Sequence, residues 1–426
     1  MLAPFLALAL AASQPVPAPV FTRDIAPILF QNCAGCHHQG EVAPFPLVRY
    51  EDAKSRAKLI VHVTRSRLMP PWQPVAGYAH FAGERRLTSL QIQTIARWVA
   101  AGAPEGDLKY LPKAPEFHSG WQLGEPDLVV SLPEPIEIPA DGPDVYECFV
   151  VPMNNPKDTF IRAVEFRPSN RRITHHALLF SDASYIKHEP RYSCFGTLGL
   201  LPTLGIGGWS PGNDAIRMLD RAALPLQAHS RLVAQVHYHP DGKVEKDQWQ
   251  VGLYFTDQAP TRRVVDVGLA SKAIDIAPGD AHYVVRQHFT VPIAIDAVGI
   301  IPHAHLICRE MRGWAILPDG SKRWLLNIRD WNFNWQDQYR YRAPMRLPAD
   351  TRIEMEFVYD NSGANPRNPH SPPQRVTWGP GTDDEMAGLH LQSIPVHMEE
   401  LPELGQALWG AVMRSVGGKF YKLPPQ

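Results

Sequence analysis

No charge of either sign dominates this chain of 426 residues: 42 Lys and Arg stand against 43 Asp and Glu, a formal net charge of -1. With no basic field and no acidic excess, nothing in the composition recommends a nucleic-acid partner or a disordered tail. Long hydrophobic runs are also missing. The apolar run at residues 2–12 (LAPFLALALAA) is far short of the ~20 residues a spanning helix needs, no later segment reaches that length, and the chain is expected not to span a membrane. There is no internal repeat and no block of five or more like charges. Pro (42) and Gly (30) exceed an ordinary share but stay below the level of low complexity, and 44% of residues are hydrophobic, so the chain reads as a turn-rich globular protein of two or three domains. Cysteine is sparse, with five residues, whereas histidine is plentiful, with 18.

The N-terminal apolar run stops at Ser13, with Ala11 and Ser13 as small residues at cleavage-like spacing, although the usual early Lys or Arg is absent. A signal peptide over 1–13 is expected, and with it a periplasmic or secreted protein. That compartment is oxidising, so disulfides and covalently attached haem become possible.

Cys33-Ala34-Gly35-Cys36-His37 is a C-x-x-C-H pattern, in which two thiols form thioethers to haem and the adjacent histidine becomes the proximal iron ligand. A zinc half-site is the bland alternative, but no second Cys pair follows within about 25 residues to complete a tetrahedral site. Residues 51–68 read as a helix stopped by Met69-Pro70-Pro71, which leaves the Met69 thioether at the turn as the distal ligand, with His62 as its competitor. A last helix, Ser89 to Ala101, opens on a Thr88/Gln91 capping box and closes at Gly102; its Ile92, Ile95, Ala96 and Val99 keep helical spacing. Residues 20–112 resemble a small class I cytochrome c domain, which implies an all-α fold and one-electron transfer.

A stretch without periodicity, 113–126, marks a linker. Beyond it, runs rich in Val, Ile, Phe and Tyr recur at 145–151, 160–166, 231–238, 250–255, 283–289, 323–328 and 352–359. Many short strands without alternating helices argue for all-β sandwiches or jelly rolls, and the length argues for two, 127–265 and 266–426.

The remaining histidines include His175-His176, His237-Tyr238-His239 and His303-Ala304-His305. With 18 histidines, about one adjacent pair and one H-x-H pair are expected by chance, so each alone is weak. In a strand, His303 and His305 point to one face and can share a metal, whereas His175 and His176 face opposite sides unless a bulge or strand end intervenes. The order of motifs is more specific. Thr174-His-His-Ala-Leu-Leu-Phe180, Gln235-Val-His-Tyr238, His303-Ala-His305 and Asp384-Glu-Met386 resemble, in sequence and order, the copper type II ascorbate-dependent monooxygenases, the family of the peptidylglycine alpha-hydroxylating and dopamine beta-monooxygenases.

The resemblance implies two jelly-roll domains with one copper each. His175, His176 and His237 would bind the electron-transfer copper, and His303, His305 and Met386 the copper that activates O₂, where a soft thioether suits Cu(I). Without the resemblance Met386 would read as a core methionine. Gln235 matches a position beside the first copper, where it would orient a ligand or line the electron path. His239 matches no ligand position. Cys148 and Cys194 match a family disulfide, which leaves Cys308 without a partner as a buried small hydrophobe. No Cys-x₄-His-x₄-Met arrangement follows Cys308, which disfavours a blue-copper site.

The peptide-amidating branch holds its substrate's carboxylate with an arginine and a tyrosine; here those positions are Ile301 and His390. A small, less charged organic substrate is therefore expected. The reading is a copper-dependent monooxygenase that hydroxylates a C–H bond with O₂, using electrons from an ascorbate-like reductant or a redox-protein donor, through haem and the histidine-only copper. The haem could equally be vestigial or regulatory. Two alternatives stand beside it: a non-enzymatic haem and copper electron-transfer protein, and a periplasmic dehydrogenase.

Overall fold

The structure is a computed structural model that describes residues 17–415 except 42, 118–119, 185, 187, 195–197, 199–203, 211–214, 219–221 and 380. The expected signal peptide, 1–13, lies outside the described residues. The chain is mostly β-sheet, and no helix among the described residues is long and apolar enough to cross a membrane.

Residues up to Pro71, together with Arg85–Glu116, form one unit; Trp72–Glu84 and everything from Phe117 onward form the other. In the first unit the regular elements are a π-helical turn, Phe21–Ile25, the helices Ala26–Asn32, Tyr50–Ser55, Ala57–Arg65 and Ser89–Ala100, and a 3-10 turn at Leu108–Tyr110. Phe21, Ile25, Leu29, Ile60, Ile95 and Trp98 bury a shared core. The helix expected over 51–68 is two helices, broken at Arg56 (φ -116°, ψ 13°). It also ends earlier than the proline signal suggests. Arg67 adopts left-handed φ of 57° and the Met69 N–H returns to the Val63 carbonyl, so the chain has turned before Pro70 is reached. The capping box is present: Thr88 Oγ1 accepts the Gln91 N–H at 3.1 Å, and Gln91 Oε1 accepts the Thr88 N–H at 2.8 Å. Trp98, absent from the expected face, is its most buried large side chain, because its indole N–H finds the Pro104 carbonyl at 2.9 Å.

The second unit holds two sets of antiparallel sheets. In the first set, the order is Arg191–Ser193, Val145–Pro152, Arg231–Tyr238, Thr174–Asp182, Leu204–Trp209, and a facing sheet runs Leu128–Ser131, Gln250–Thr256, Thr159–Arg167, Ile216–Arg217. Phe149, Val164, Leu232 and Leu253 from both sheets close one core, joined by Trp249. In the second set, Val265–Ser271, Ala387–Pro395, Ile295–His303 and Tyr339–Leu347 form one sheet, and Tyr283–Thr290, Arg352–Tyr359, Cys308–Ile316 and Lys322–Ile328 the other. Ile300, Leu325, Trp331, Phe357 and Leu389 fill the space between them. No sheet among the described residues mixes strands from the two sets. Each apolar run read from the sequence lies within a strand, because branched and aromatic residues suit a half-buried pleated surface.

One arrangement has no sequence signature. Trp72–Glu84, inside the span expected as a single N-terminal domain, packs into the second set of sheets. Val75 N–H meets the Asn327 carbonyl at 2.7 Å, Ala82 N–H meets Arg340 at 2.8 Å, and Phe81 stacks on Tyr341 at 5.4 Å.

Candidate metal centres

The central strand Arg231–Tyr238 lies between Val145–Pro152 and Thr174–Asp182 and is almost wholly buried. His237 pairs with His176, but the next residue, Tyr238, pairs with Thr174, so His175 is the extra residue of a bulge. A bulge re-aims side chains. It brings two adjacent histidines, which regular alternation would send to opposite faces, to one point. The Nδ1 atom of His175 lies 3.3 Å from that of His176 and 3.0 Å from that of His237, and the His176 and His237 Nδ1 atoms are 3.3 Å apart. Three nitrogens this close cannot all carry protons, so the arrangement fits a cation held by neutral imidazoles.

The outer faces of the group are held as well. His237 Nε2 meets Asp144 Oδ2 at 2.7 Å, the other carboxylate oxygen meets His239 Nδ1 at 2.7 Å, and Tyr146 stacks on His237 with ring centres 4.1 Å apart. His175 Nε2 lies 3.2 Å from the Asn334 carbonyl. Burial, then the neighbouring His237, pushes the His175 pKa down to about 4, and the same causes hold His176 well below the ordinary range. Burial works to raise Asp144, but the His237 hydrogen bond and charge, followed by those of His239, bring it down to about 2. It is thus an anion that can orient His237 through Nε2.

The Cys148–Cys194 disulfide is present. Cys148 pairs directly with Gln235, two residues before His237, and Gln235 Nε2 donates to the Cys194 carbonyl at 2.9 Å. The amide of Gln235 is therefore tied to the disulfide, and among the described residues no bond from it to a ligand histidine is seen. His239, matched to no ligand position, supports the group through Asp144.

His303 ends the strand Ile295–His303, and His305 follows in the turn. Their rings are 5.3 Å apart. His303 Nδ1 lies 2.7 Å from Gln336 Oε1, and His305 Nδ1 lies 3.0 Å from the Asp384 carbonyl. Both Nδ1 atoms are engaged, so Nε2 is the nitrogen each ring presents to a ligand. Burial, then His305, lowers His303 to about 4, and burial lowers His305. The turn is held by fully buried Glu385, whose carboxylate accepts the His305 and Ile307 N–H groups at 2.8 Å each and the Met386 N–H at 3.2 Å. His303 pairs with Gly388 across the sheet, which places the Met386 backbone beside the same turn. The two neutral imidazoles fit a soft cation.

Facing the same side, Ile301 pairs with His390, and His390 Nδ1 meets Asp266 Oδ2 at 2.7 Å. The ring is flanked by glycine: a Cβ on Gly268 would come within 3.2 Å of His390 Nδ1, and one on Gly388 within 3.4 Å of Nε2. No cationic clamp stands at these two positions.

In the first unit, Cys33 follows the helix Ala26–Asn32, and the His37 N–H returns to the Cys33 carbonyl at 2.9 Å. His37 Nδ1 meets the Phe45 carbonyl at 2.9 Å, so Nε2 is the nitrogen that a haem iron would meet. Burial, then Cys36, pushes the Cys33 thiol up to about 12, and burial lowers His37. These residues fit a haem attached through Cys33 and Cys36. Met69 is 40% exposed and His62 is exposed. Cys308 is a buried free thiol in the core of the second set of sheets.

Asp144, Gln336, Asp266 and Glu385 escaped the sequence reading. Each meets its histidine from 33 to 124 positions away, so no local spacing could flag them.

No protein-family model and no characterised protein matches the chain. Among solved structures, the major capsid protein P2 of bacteriophage PM2 is 9% identical, with 63% of this chain and 97% of that one covered at a TM-score of 0.26. The VP2 subviral particle of infectious bursal disease virus is 10% identical, with coverage of 63% and 71% and a TM-score of 0.19. At such scores neither carries an argument about fold or function.

Proposed function

We propose that the chain is an exported copper-dependent monooxygenase, periplasmic or secreted, with two jelly-roll copper domains and an N-terminal class I cytochrome c-like domain carrying one haem c. The observation that carries the reading is the convergence of the His175, His176 and His237 Nδ1 atoms within 3.3 Å of one another at a bulge. The outer nitrogens of His175 and His237 have partners, whereas the three inward Nδ1 atoms face one another, an arrangement that a cation satisfies.

Copper bound to these donors would supply one-electron chemistry and, beside Met386, a Cu(I) state suited to O₂. The residues themselves divide the work. Asp144 orients His237, Gln336 orients His303, and the Asp384 carbonyl orients His305. His390, fixed by Asp266, offers a substrate hydroxyl or amine one directed nitrogen in place of a carboxylate clamp. A small, weakly charged organic molecule suits that face. Electrons would come from an ascorbate-like reductant or a redox-protein donor, by way of Cys33-Cys36-His37 haem.

Two measurements test this. Purified protein should contain one haem and two copper ions, and hydroxylated product formed under ¹⁸O₂ should carry one ¹⁸O atom. Zinc in both histidine groups, or substrate oxidation that proceeds without O₂, defeats the proposal.

A further inference from the structure

Both histidine groups are held from outside by one loop. His175 directs Nδ1 toward His176 and His237 and Nε2 toward the Asn334 carbonyl, at 3.2 Å. Two residues along, Gln336 Oε1 reaches His303 Nδ1 at 2.7 Å. The route from one ligand ring to the other therefore crosses two hydrogen bonds and a short piece of backbone.

The loop has its own anchor. Gln73 Oε1 accepts the Asn332 N–H at 2.6 Å, and its Nε2 donates to the Asn332 carbonyl at 3.4 Å and to the Trp335 carbonyl. Inside the loop, Asn332 Oδ1 accepts the Asn334 N–H at 3.0 Å, and its carbonyl accepts the Trp335 N–H at 3.0 Å. Gln73 of the segment Trp72–Glu84 thus holds the loop that meets both histidine groups.

We infer that the loop of Asn332, Asn334 and Gln336, pinned by Gln73, couples the two histidine groups, so that a metal ion on one strengthens binding at the other. The inference rests on the reading of both groups as metal ligands. A cation on His175 Nδ1 withdraws electron density from the ring and makes its Nε2–H a stronger donor to Asn334. A loop so tightened has fewer conformations, and Gln336 then aligns His303 at a smaller entropic cost. Coupling of this kind is reciprocal. Gln336 is a positioning residue in this scheme.

The test uses the full chain stripped of metal, with Cu(I) as the probe, titrated under argon against a chromogenic chelator. Copper affinity of the His303 and His305 group is compared with and without His237→Ala, which disables the first group. In the native background, His237→Ala should weaken the second group by about fivefold or more. In Gln336→Leu or Gln73→Ala backgrounds, the same change should weaken it by less than about twofold. Gln73 touches neither histidine group, so its variant carries the test if Gln336→Leu fails to fold. An equal loss in all backgrounds, or no loss in the native one, overturns the inference while leaving two copper sites in place. Failure of the native chain to bind copper in either group overturns the metal reading itself, and the coupling with it.

Discussion

His176 stands directly across the sheet from His237, Nδ1 to Nδ1 at 3.3 Å, and the register slips one residue later so that His175 joins them. A regular ladder would have kept two of the three. The bulge, rather than the histidine pair, is what makes a three-nitrogen site.

Asp144 holds His237 from the side away from the other histidines. Asp144→Asn should lower copper affinity at this group about 10- to 100-fold, the usual cost of removing a carboxylate behind a ligand histidine, with the His303 group retaining its copper. Metal analysis after dialysis against a graded chelator series reads the difference. An unchanged affinity would remove Asp144 from the role.

Acid should destabilise the metal-free chain in a defined window. His175 and His303 are lowered to about 4 by burial, with His176 and His305 also lowered. Between the ordinary histidine value of about 6.5 and about 4, the unfolded chain binds protons that the fold refuses. Stability therefore rises with pH across that window and is lost as pH falls from about 6.5 toward 4. Thermal melts should show this slope, and His175→Asn together with His303→Asn should flatten it.

Met386→Ile should abolish hydroxylation while the haem spectrum stays intact. X-ray absorption at the copper edge should lose its sulfur contribution in the same variant. Retained turnover would return Met386 to the status of a core residue.

The haem's part in electron supply is best tested without truncation, because removing the N-terminal span also removes Trp72–Glu84 from the sheets it pairs with. Cys33→Ala with Cys36→Ala should eliminate covalent haem, leave ascorbate-driven hydroxylation, and abolish hydroxylation driven by a reduced cytochrome partner. If the last activity is undiminished, the relay idea fails.

The Cys148–Cys194 bridge closes a separation of 46 residues. Chain-entropy arguments give it about 4 kcal/mol of stability. Cys148→Ala with Cys194→Ala should lower the denaturant midpoint accordingly, and should also loosen Gln235, whose amide is held by the Cys194 carbonyl.

From residues alone it was possible to read the strand positions, the Thr88/Gln91 capping box and the histidine pairs worth attention, because alternation and capping are local and repeat at short spacing. The Ser89–Ala100 helix shows the limit of that reading: its periodic apolar residues were visible, yet Trp98 dominates its buried face. The break at Arg56, the bulge at His175, the capture of Trp72–Glu84 by distant sheets, and the partners Asp144, Gln336, Glu385 and Asp266 were decided only in the tertiary structure. Sequence periodicity reports which face of an element is buried. It carries no record of which carboxylate or amide, tens of residues away, the fold will set behind a particular imidazole.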